Sequence, residues 1–168
     1  MSPFLNIKKN LDKKTAELLV EVFGRIMSKK KQLVPAQVTF ESFLSSKIQI
    51  NGVIKHGVPY SYFESVKEFT PFNNEDWSRL LNVSNKTLVR YKTTKTRLKS
   101  PVSEKLIGIA EVTKAGLDAF GDMDKFKLWL DTPNFALGNS KPVELLENSY
   151  GKDLVLSELN NIEFGIFA

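Results

Sequence analysis

The sequence predicts an all-α protein. Apolar residues recur at three- and four-residue steps in several segments, which is the period of an amphipathic helix. Capping residues and prolines bound these segments at the places where helices begin and end. The 168 residues, 42% of them hydrophobic, are enough for one ordinary domain or two small ones. We therefore expect a series of helices around one or two small cores.

The N-terminal third contains one clear helix and one ambiguous segment. Residues 12–27 carry apolar side chains on a single helical face: Ala16, Leu19, Val22, Phe23 and Ile26. Residues 46–57 fit a strand, because Ile48 and Ile50 alternate. They also fit a helix that Ser46 caps and Gly57 stops, and this is the interpretation that we prefer.

After a helix over residues 60–69, two short helices follow that are joined by a tight turn. Asn74 is the expected N-cap of the first of them. Its inward side chains are Trp77, Leu80 and Leu81. Asn82 suits the left-handed conformation at its C-terminal end, and Ser84 can cap the second helix, residues 85–91. This spacing predicts a helix-turn-helix.

The C-terminal third continues the helical pattern. Ser100 and Pro101 begin a helix of about five turns. Its apolar stripe consists of Val102, Leu106, Ile109, Thr113, Leu117 and Phe120. Asp122 opens a further helix over residues 123–130, and Gly151 is expected to separate two later helical segments.

Charge is distributed unevenly along the chain. Residues 1–100 carry 18 basic and 8 acidic side chains, a formal charge of +10, whereas residues 101–168 carry 6 and 11, a charge of −5. No acidic residue occurs between Trp77 and Ser103, a stretch that contains seven Lys and Arg residues. A basic stretch around a helix-turn-helix is typical of a phosphate-binding surface. We therefore expect the first half to bind DNA and the second half to bind a different partner.

The predicted DNA-binding residues lie in and just beyond the second helix of the pair. Leu88 turns inward in this helix. Asn85, Lys86 and Val89 then point outward, as expected of a recognition helix. The full predicted set is Ser84, Asn85, Lys86, Thr87, Arg90, Tyr91, Lys92 and Lys95. The alternative is a solvated basic face, since such helix pairs also occur in proteins that bind no nucleic acid.

The sequence contains no recognisable catalytic or metal-binding constellation. Cys is absent, and His56, the single histidine, lies at a predicted helix end where a cation interacts favourably with the helix dipole. Neither a phosphate-loop nor a dinucleotide-loop glycine motif occurs. Asp122 and Asp124 fit the first turn of a helix better than an acid–base pair. These features favour a binding protein over an enzyme, with no cofactor, metal ion or small-molecule substrate.

The start of the chain and its hydropathy predict a cytoplasmic protein that binds no membrane. Lys and Asn interrupt the first residues before the apolar region of a signal peptide can form. No apolar run is long enough to span a bilayer. The basic run of residues 29–31 leaves binding at a membrane surface open, although such a run is more often a solvated face.

The last residues are unusually apolar for a chain terminus. Phe164, Ile166 and Phe167 surround Gly165, and Ala168 follows them. One possibility is that this tail folds back on its own domain. The other is that it inserts into the cleft of a partner, with the two Phe rings as anchors.

Several motifs in the C-terminal half resemble the toxin-binding domain of the Xre/MbcA/ParS antitoxins. They are Phe120-Gly121-Asp122, Trp129-Leu130, Thr132-Pro133-Asn134, Ala136-Leu137-Gly138, Glu144-Leu145-Leu146 and Gly165-Ile166-Phe167-Ala168. A weaker similarity extends upstream to about residue 46, with Asn82 where the family usually has Gly. Residues 1–45 lie outside the similarity.

The resemblance implies a bacterial type II antitoxin, all-helical and dimeric, whose partner is a RES-fold toxin that degrades NAD. It divides the chain into a variable N-terminal helical arm (1–45), a helix-turn-helix region (46–100) and a toxin-binding domain with a dimerisation helix (101–168). In such an antitoxin, residues 164–168 would occlude the active site of the toxin, and the helix-turn-helix would bind operator DNA of its own operon. The alternative is a free-standing dimeric regulator without a toxin, whose apolar C-terminus only builds the dimer.

Overall fold

The computed structural model describes residues 3–27 and 38–166, whose backbone forms ten α-helices. In chain order they are α1 (Pro3–Met27), α2 (Phe40–Leu44), α3 (Lys47–His56), α4 (Tyr60–Phe69), α5 (Asn74–Leu81), α6 (Asn85–Thr94), α7 (Ser100–Phe120), α8 (Met123–Leu130), α9 (Pro142–Leu145) and α10 (Ser149–Glu163). A 3₁₀ turn, Phe135–Leu137, precedes α9. Within these residues only isolated bridges and no strands occur, so the predicted all-α fold is confirmed.

The described residues divide into two compact units. The first holds the residues up to Thr70 together with Lys86–Ile107, and the second holds Pro71–Asn85 with the residues from Gly108 onward. By this division α5 belongs to the second unit, α6 to the first almost entirely, and α7 to both. The sequence ranges of the two units carry formal charges of +11 and −6. The charge asymmetry is therefore sharper between the units than between the two halves of the chain.

In the first unit, α1 packs antiparallel to α4. The ring of Phe4 lies 6.0 Å from that of Phe69, between centroids, at one end of the pair. Farther along, the hydroxyls of Thr15 and Tyr62 are 3.0 Å apart. Because the Thr15 hydroxyl donates to the carbonyl of Leu11, it accepts from Tyr62. Burial raises the pKa of Tyr62, so its hydroxyl stays protonated and able to donate.

The helical interpretation of residues 46–57 is confirmed, with Ser46 as the N-cap of α3 and Gly57 as its C-cap. Gly57 has φ +81°, and a Cβ there would lie 2.6 Å from the carbonyl oxygen of Leu98. Only glycine meets both conditions. The first helix differs from the prediction, since α1 begins at Pro3 and not near residue 12. Ile7 and Leu11 extend its inward face by two turns.

In the second unit, α5 begins one residue earlier than predicted. Asn73, not Asn74, is the N-cap, because its side chain accepts from the amide of Asp76 at 3.0 Å. The carboxylate of Asp76 accepts in return from the amide of Asn73, which completes a capping box. The inward residues agree with the sequence: Trp77, Leu80 and Leu81 are all at most 2% exposed.

The sequence predicted that Gly151 separates two helical segments, but it does not. It lies in the first turn of α10, next to the neighbouring helix α9. A Cβ at this position would overlap the carbonyl oxygen of Leu145. Glycine is needed here because the two backbones approach closely, and α10 continues through it.

The apolar stripe of α7 is buried over its first four residues, and Leu117 and Phe120 at its end are half-buried. Its members Val102, Leu106, Ile109 and Thr113 are at most 9% exposed. Residues on other sides of the helix are covered as well: Ile107, Ala110 and Val112. Most of the apolar side chains of α7 are therefore buried.

Candidate functional site

The turn between α5 and α6 is closed by two backbone hydrogen bonds. The amide of Asn82 donates to the carbonyl of Arg79, and the amide of Val83 donates to the carbonyl of Ser78, both at 3.0 Å. This is the hydrogen-bond pattern of a Schellman motif. Asn82 has φ +53° and ψ +48°, the left-handed conformation that the sequence predicted. The hydroxyl of Ser78 also donates to the carbonyl of Val83 at 2.6 Å, which ties the turn to α5.

The outward face of α6 has the residues that the sequence placed there. Leu88 is 8% exposed and Val89 is 61% exposed. Asn85, Lys86 and Arg90 are exposed as well. A shallow depression of about 380 Å³ runs along this face, lined by Lys86, Thr87, Val89, Arg90, Thr93 and Thr94. The face offers two cations and three hydroxyl groups around an apolar centre, which suits contacts to phosphates and base edges.

Tyr91 is not part of this face, which corrects one predicted DNA-binding residue. Its side chain is 6% exposed and belongs to the core of the first unit. Position 91 lies three residues after Leu88, so both side chains project from the same side of the helix. That spacing was readable from the sequence, because Leu88 had already been placed inward.

The seven basic residues between Trp77 and Ser103 differ in whether an acidic side chain pairs with them. Within the part of the chain that the structure describes, Lys86, Arg90, Lys95 and Lys99 form no ion pair, and all four are exposed. Lys92 is exposed but lies 3.6 Å from the carboxylate of Glu64 on α4. Arg79 and Arg97 pair with acids. Within this stretch, the cations that form no ion pair therefore lie on α6 and just after it, where they can meet a polyanion.

Two arginines of the same stretch form ion pairs within their own units. Arg79 on α5 lies 3.4 Å from Asp76 and 3.4 Å from Glu147, both in the second unit. Arg97 donates from Nε to the carbonyl of Gly57 at 2.9 Å and from Nη1 to Glu21 of α1 at 2.5 Å. The sequence analysis counted both as phosphate-binding charges. Nothing local reveals Glu147 and Glu21, which lie 68 and 76 residues away in the chain, whereas Asp76 lies only three residues before Arg79.

Lys95, a predicted DNA-binding residue, adopts an uncommon backbone conformation. Its φ is +51°, in the left-handed region, directly after the last residue of α6. A lysine costs free energy there that glycine would not. The side chain is exposed, so packing does not account for the choice of lysine at this position.

The C-terminal end of α10 is closed in the same manner as α5. The amide of Gly165 donates to the carbonyl of Ile162 at 3.2 Å, and the amide of Ile166 donates to the carbonyl of Asn161 at 2.8 Å. Gly165 has φ +66°. A second Schellman motif therefore fixes the direction in which the chain leaves the helix as far as Ile166.

The apolar side chains at this end are exposed. Phe164 is 71% exposed and Ile166 is 62% exposed, so neither folds back against the described part of the chain. Phe167 and Ala168, the other two apolar residues of the predicted partner-binding tail, lie outside the described residues. Apolar groups held in water at a fixed helix end are an expected feature of a docking site.

Other expectations concern a metal ion and a membrane. Among the described residues, no group of three or more His, Asp or Glu side chains could hold a metal ion. None of the described helices is both long and apolar enough to cross a bilayer. His56 ends α3 and lies 3.8 Å from Glu21. The basic run of residues 29–31 lies outside the described residues.

Two family models match consecutive parts of the chain. A model described as the antitoxin Xre-like helix-turn-helix domain matches residues 49–111. A model described as the antitoxin Xre/MbcA/ParS C-terminal toxin-binding domain matches residues 115–165. The first range contains the turn at Asn82 and α6, and the second contains α8 to α10 and the start of the tail.

Two curated relatives are similar over most of their length. A protein named Antitoxin Xre from Photorhabdus laumondii is 25% identical over 123 residues, which cover 73% of this chain and 83% of the relative. A protein of the same name from Yersinia enterocolitica is 28% identical over 116 residues, which cover 68% and 78%. These names favour the antitoxin over the free-standing regulator.

Proposed function

Because the chain belongs to the Xre/MbcA/ParS-type antitoxins, with a helix-turn-helix domain followed by a toxin-binding domain, we propose that it neutralises a NAD-degrading toxin of the RES fold. The proposed mechanism is occlusion of the toxin's active site by residues 164–168. It requires binding only, with no turnover by the antitoxin. The tail is the part of the second unit best suited to enter a cleft, because the side chains of Phe164 and Ile166 are exposed and the direction of the chain is fixed as far as Ile166.

The observation that carries this proposal is the exposed end of α10. Phe164 and Ile166 flank a glycine in the left-handed conformation and are held by the Schellman motif. A segment that is already ordered as far as Ile166 loses less conformational entropy on binding than a disordered tail. Two Phe rings entering an apolar cleft would contribute most of the affinity of the tail.

Deletion of residues 164–168 tests this part of the proposal. The deletion starts after the last helical residue of α10, Glu163, so the helix itself keeps its sequence. We expect cells that express the RES-fold toxin to be protected by the full chain and not by the deletion. NAD content, measured in the same cells, should fall only with the deletion. Full protection by the shortened chain would contradict the proposed occlusion.

We further propose that α6 binds operator DNA in the promoter of the antitoxin's own operon. The free cations Lys86 and Arg90 lie one helical turn apart on the outward face, with the hydroxyls of that face between and beyond them. A homodimer would place two copies of α6 on successive half-sites of a palindromic operator. In a duplex titration with the promoter fragment, affinity should fall steeply as salt is added. Affinity that does not change with salt would contradict binding through this face.

A further inference from the structure

The outward face of α6 presents one valine to solvent. Val89 is 61% exposed in the middle of the helix, one turn from Lys86 and one turn from Thr93 on the same face. It lines the shallow depression of about 380 Å³ that runs along this face. A β-branched residue favours a helix less than Ala or Lys does, and most of this side chain lies in solvent. Neither helix formation nor packing therefore accounts for a valine at position 89.

Two threonines of this face keep their hydroxyl protons within the helix. The hydroxyl of Thr93 donates to the carbonyl of Val89 at 2.9 Å, and the hydroxyl of Thr94 donates to the carbonyl of Arg90 at 2.7 Å. A phosphate oxygen only accepts hydrogen bonds, so these hydroxyls cannot donate to it while they bond to the helix. Contacts of this part of the face to phosphates therefore fall to Lys86 and Arg90, which line the same depression.

The partner that fits this arrangement has negative charges around a small apolar group. No acidic residue occurs between Trp77 and Ser103, so the cations of α6 have no acid on their own helix. The major groove of DNA supplies both features, since phosphates line its walls and thymine carries a C5-methyl group on its floor. The other three standard bases present hydrogen-bonding groups there, for which a valine side chain has neither donor nor acceptor.

We propose that Val89 selects one base of the operator, by contacting the C5-methyl group of a thymine in the major groove. This inference rests on the proposed binding of operator DNA by α6. Lys86 and Arg90 bind phosphates beside that base and hold the helix in the groove. They contribute affinity at any sequence, whereas Val89 contributes only where a thymine is present.

Replacement of single thymines by deoxyuridine tests the inference, because deoxyuridine pairs with adenine in the same way and lacks only the C5-methyl group. Each thymine of a synthetic promoter duplex with unmodified cytosine is replaced in turn, and binding is measured by fluorescence anisotropy. We expect the affinity of the wild type to fall about fourfold at one thymine of a half-site, which corresponds to the loss of one buried methyl group. Replacement at thymines that Val89 does not contact should have a smaller effect.

Val89→Ser is the variant that should lose this response. It should bind the unmodified operator more weakly than the wild type, and equally well with thymine or deoxyuridine at the selected position. A methyl group that acted only through the shape of the duplex would keep its effect in this variant. Val20→Ser is the matched control, since Val20 is 55% exposed on α1 of the same unit. It should keep both the affinity and the deoxyuridine response of the wild type.

The outcomes separate this inference from the proposed function. If Val89→Ser binds the operator like the wild type and responds to deoxyuridine in the same way, the base contact is refuted and DNA binding by α6 stands. A wild type that responds to no single deoxyuridine refutes the base contact too, and affinity gained only with 5-methylcytosine would assign the methyl group to a modified cytosine instead. If the wild type binds the promoter fragment without salt dependence, or not at all, the proposed DNA binding fails and this inference fails with it.

Discussion

The two proposed binding regions begin at helix ends that are built alike and continue differently. At Asn82 and at Gly165 a left-handed residue is followed by a Schellman hydrogen bond, from Val83 in one case and from Ile166 in the other. Val83 is half-buried, and a serine hydroxyl binds its carbonyl. Ile166 is 62% exposed.

The difference between the two ends follows from what comes after each of them. After Asn82 the chain re-enters a helix within three residues, so the turn is an internal part of the fold whose apolar residue is at least partly covered. After Gly165 the one further residue that the structure describes is Ile166, and its side chain is in water. The same backbone motif therefore closes the helix before the proposed recognition helix in one case and precedes the proposed toxin-binding tail in the other.

The largest effect is expected when the outward cations of α6 are removed. Lys86→Ala combined with Arg90→Ala should weaken operator binding on the order of 100-fold at low salt. The slope of log affinity against log salt should become shallower by about 2, one for each lost phosphate contact. Fluorescence anisotropy of a labelled promoter duplex measures both quantities.

The control for this pair removes two cations elsewhere. Lys125→Ala with Lys127→Ala changes the net charge equally but acts on α8, in the second unit. Its effect on the operator should be no more than about threefold, through net charge only. An equal loss with both pairs would mean that overall charge, and not the face of α6, binds the DNA.

A β-branched residue in the turn between α5 and α6 should destabilise the fold. Asn82→Val forces a branched side chain into the left-handed region at a cost of about 2 kcal/mol. Urea unfolding should detect this loss of stability, and operator binding should weaken along with it. Asn82→Gly, which suits the same conformation, should stay within about 0.5 kcal/mol of the wild type. Unchanged stability of Asn82→Val would contradict the turn as described.

The corresponding substitution at the C-terminal end of α10 should leave the fold intact. Gly165→Ala costs about 1 kcal/mol in the left-handed conformation. The last turn of α10 can fray to relieve that cost, so the thermal midpoint should not move. Toxin affinity should fall about fivefold, because the tail no longer leaves the helix in one direction. Asn160→Ala, an exposed position inside α10, serves as the control and should bind the toxin like the wild type.

The smallest effect is expected at Lys95. Lys95→Gly relieves the left-handed conformation and should raise stability by about 0.5 kcal/mol. It also removes an exposed cation, so the salt slope for DNA should fall by about 1 if Lys95 meets a phosphate. Lys99→Gly removes a similar charge without a positive φ and should bring no gain in stability. A loss of stability in Lys95→Gly would show that the lysine makes a stabilising contact.

Local features of the fold could be predicted from the sequence. Ser46 as a cap, Asn82 in the left-handed region and Leu88 on the inward side each depend on residues within one helical turn. The capping box of α5 was also readable, because Asp76 lies three residues after Asn73 and only two after Asn74. The displaced start of α5 was therefore an avoidable error.

Features that depend on distant parts of the chain could not be predicted. Arg97 was counted as a phosphate-binding charge, because its partners Gly57 and Glu21 come together only in the folded unit. Gly151 was interpreted as a helix break, since the close approach of the Leu145 carbonyl leaves no local signal. The exposure of Phe135, in the 3₁₀ turn before α9, was missed for the same reason, because it depends on which apolar residues the remaining helices cover.

We expect the two regions to serve two partners independently. One set of preparations tests it: wild type, the deletion of residues 164–168, and Lys86→Ala with Arg90→Ala, each assayed for operator affinity and for inhibition of NAD hydrolysis by the purified RES-fold toxin. We expect the deletion to bind the operator like the wild type and to leave the toxin active. The double alanine variant should inhibit the toxin fully and bind the operator weakly. Loss of both activities in either variant would contradict the claim.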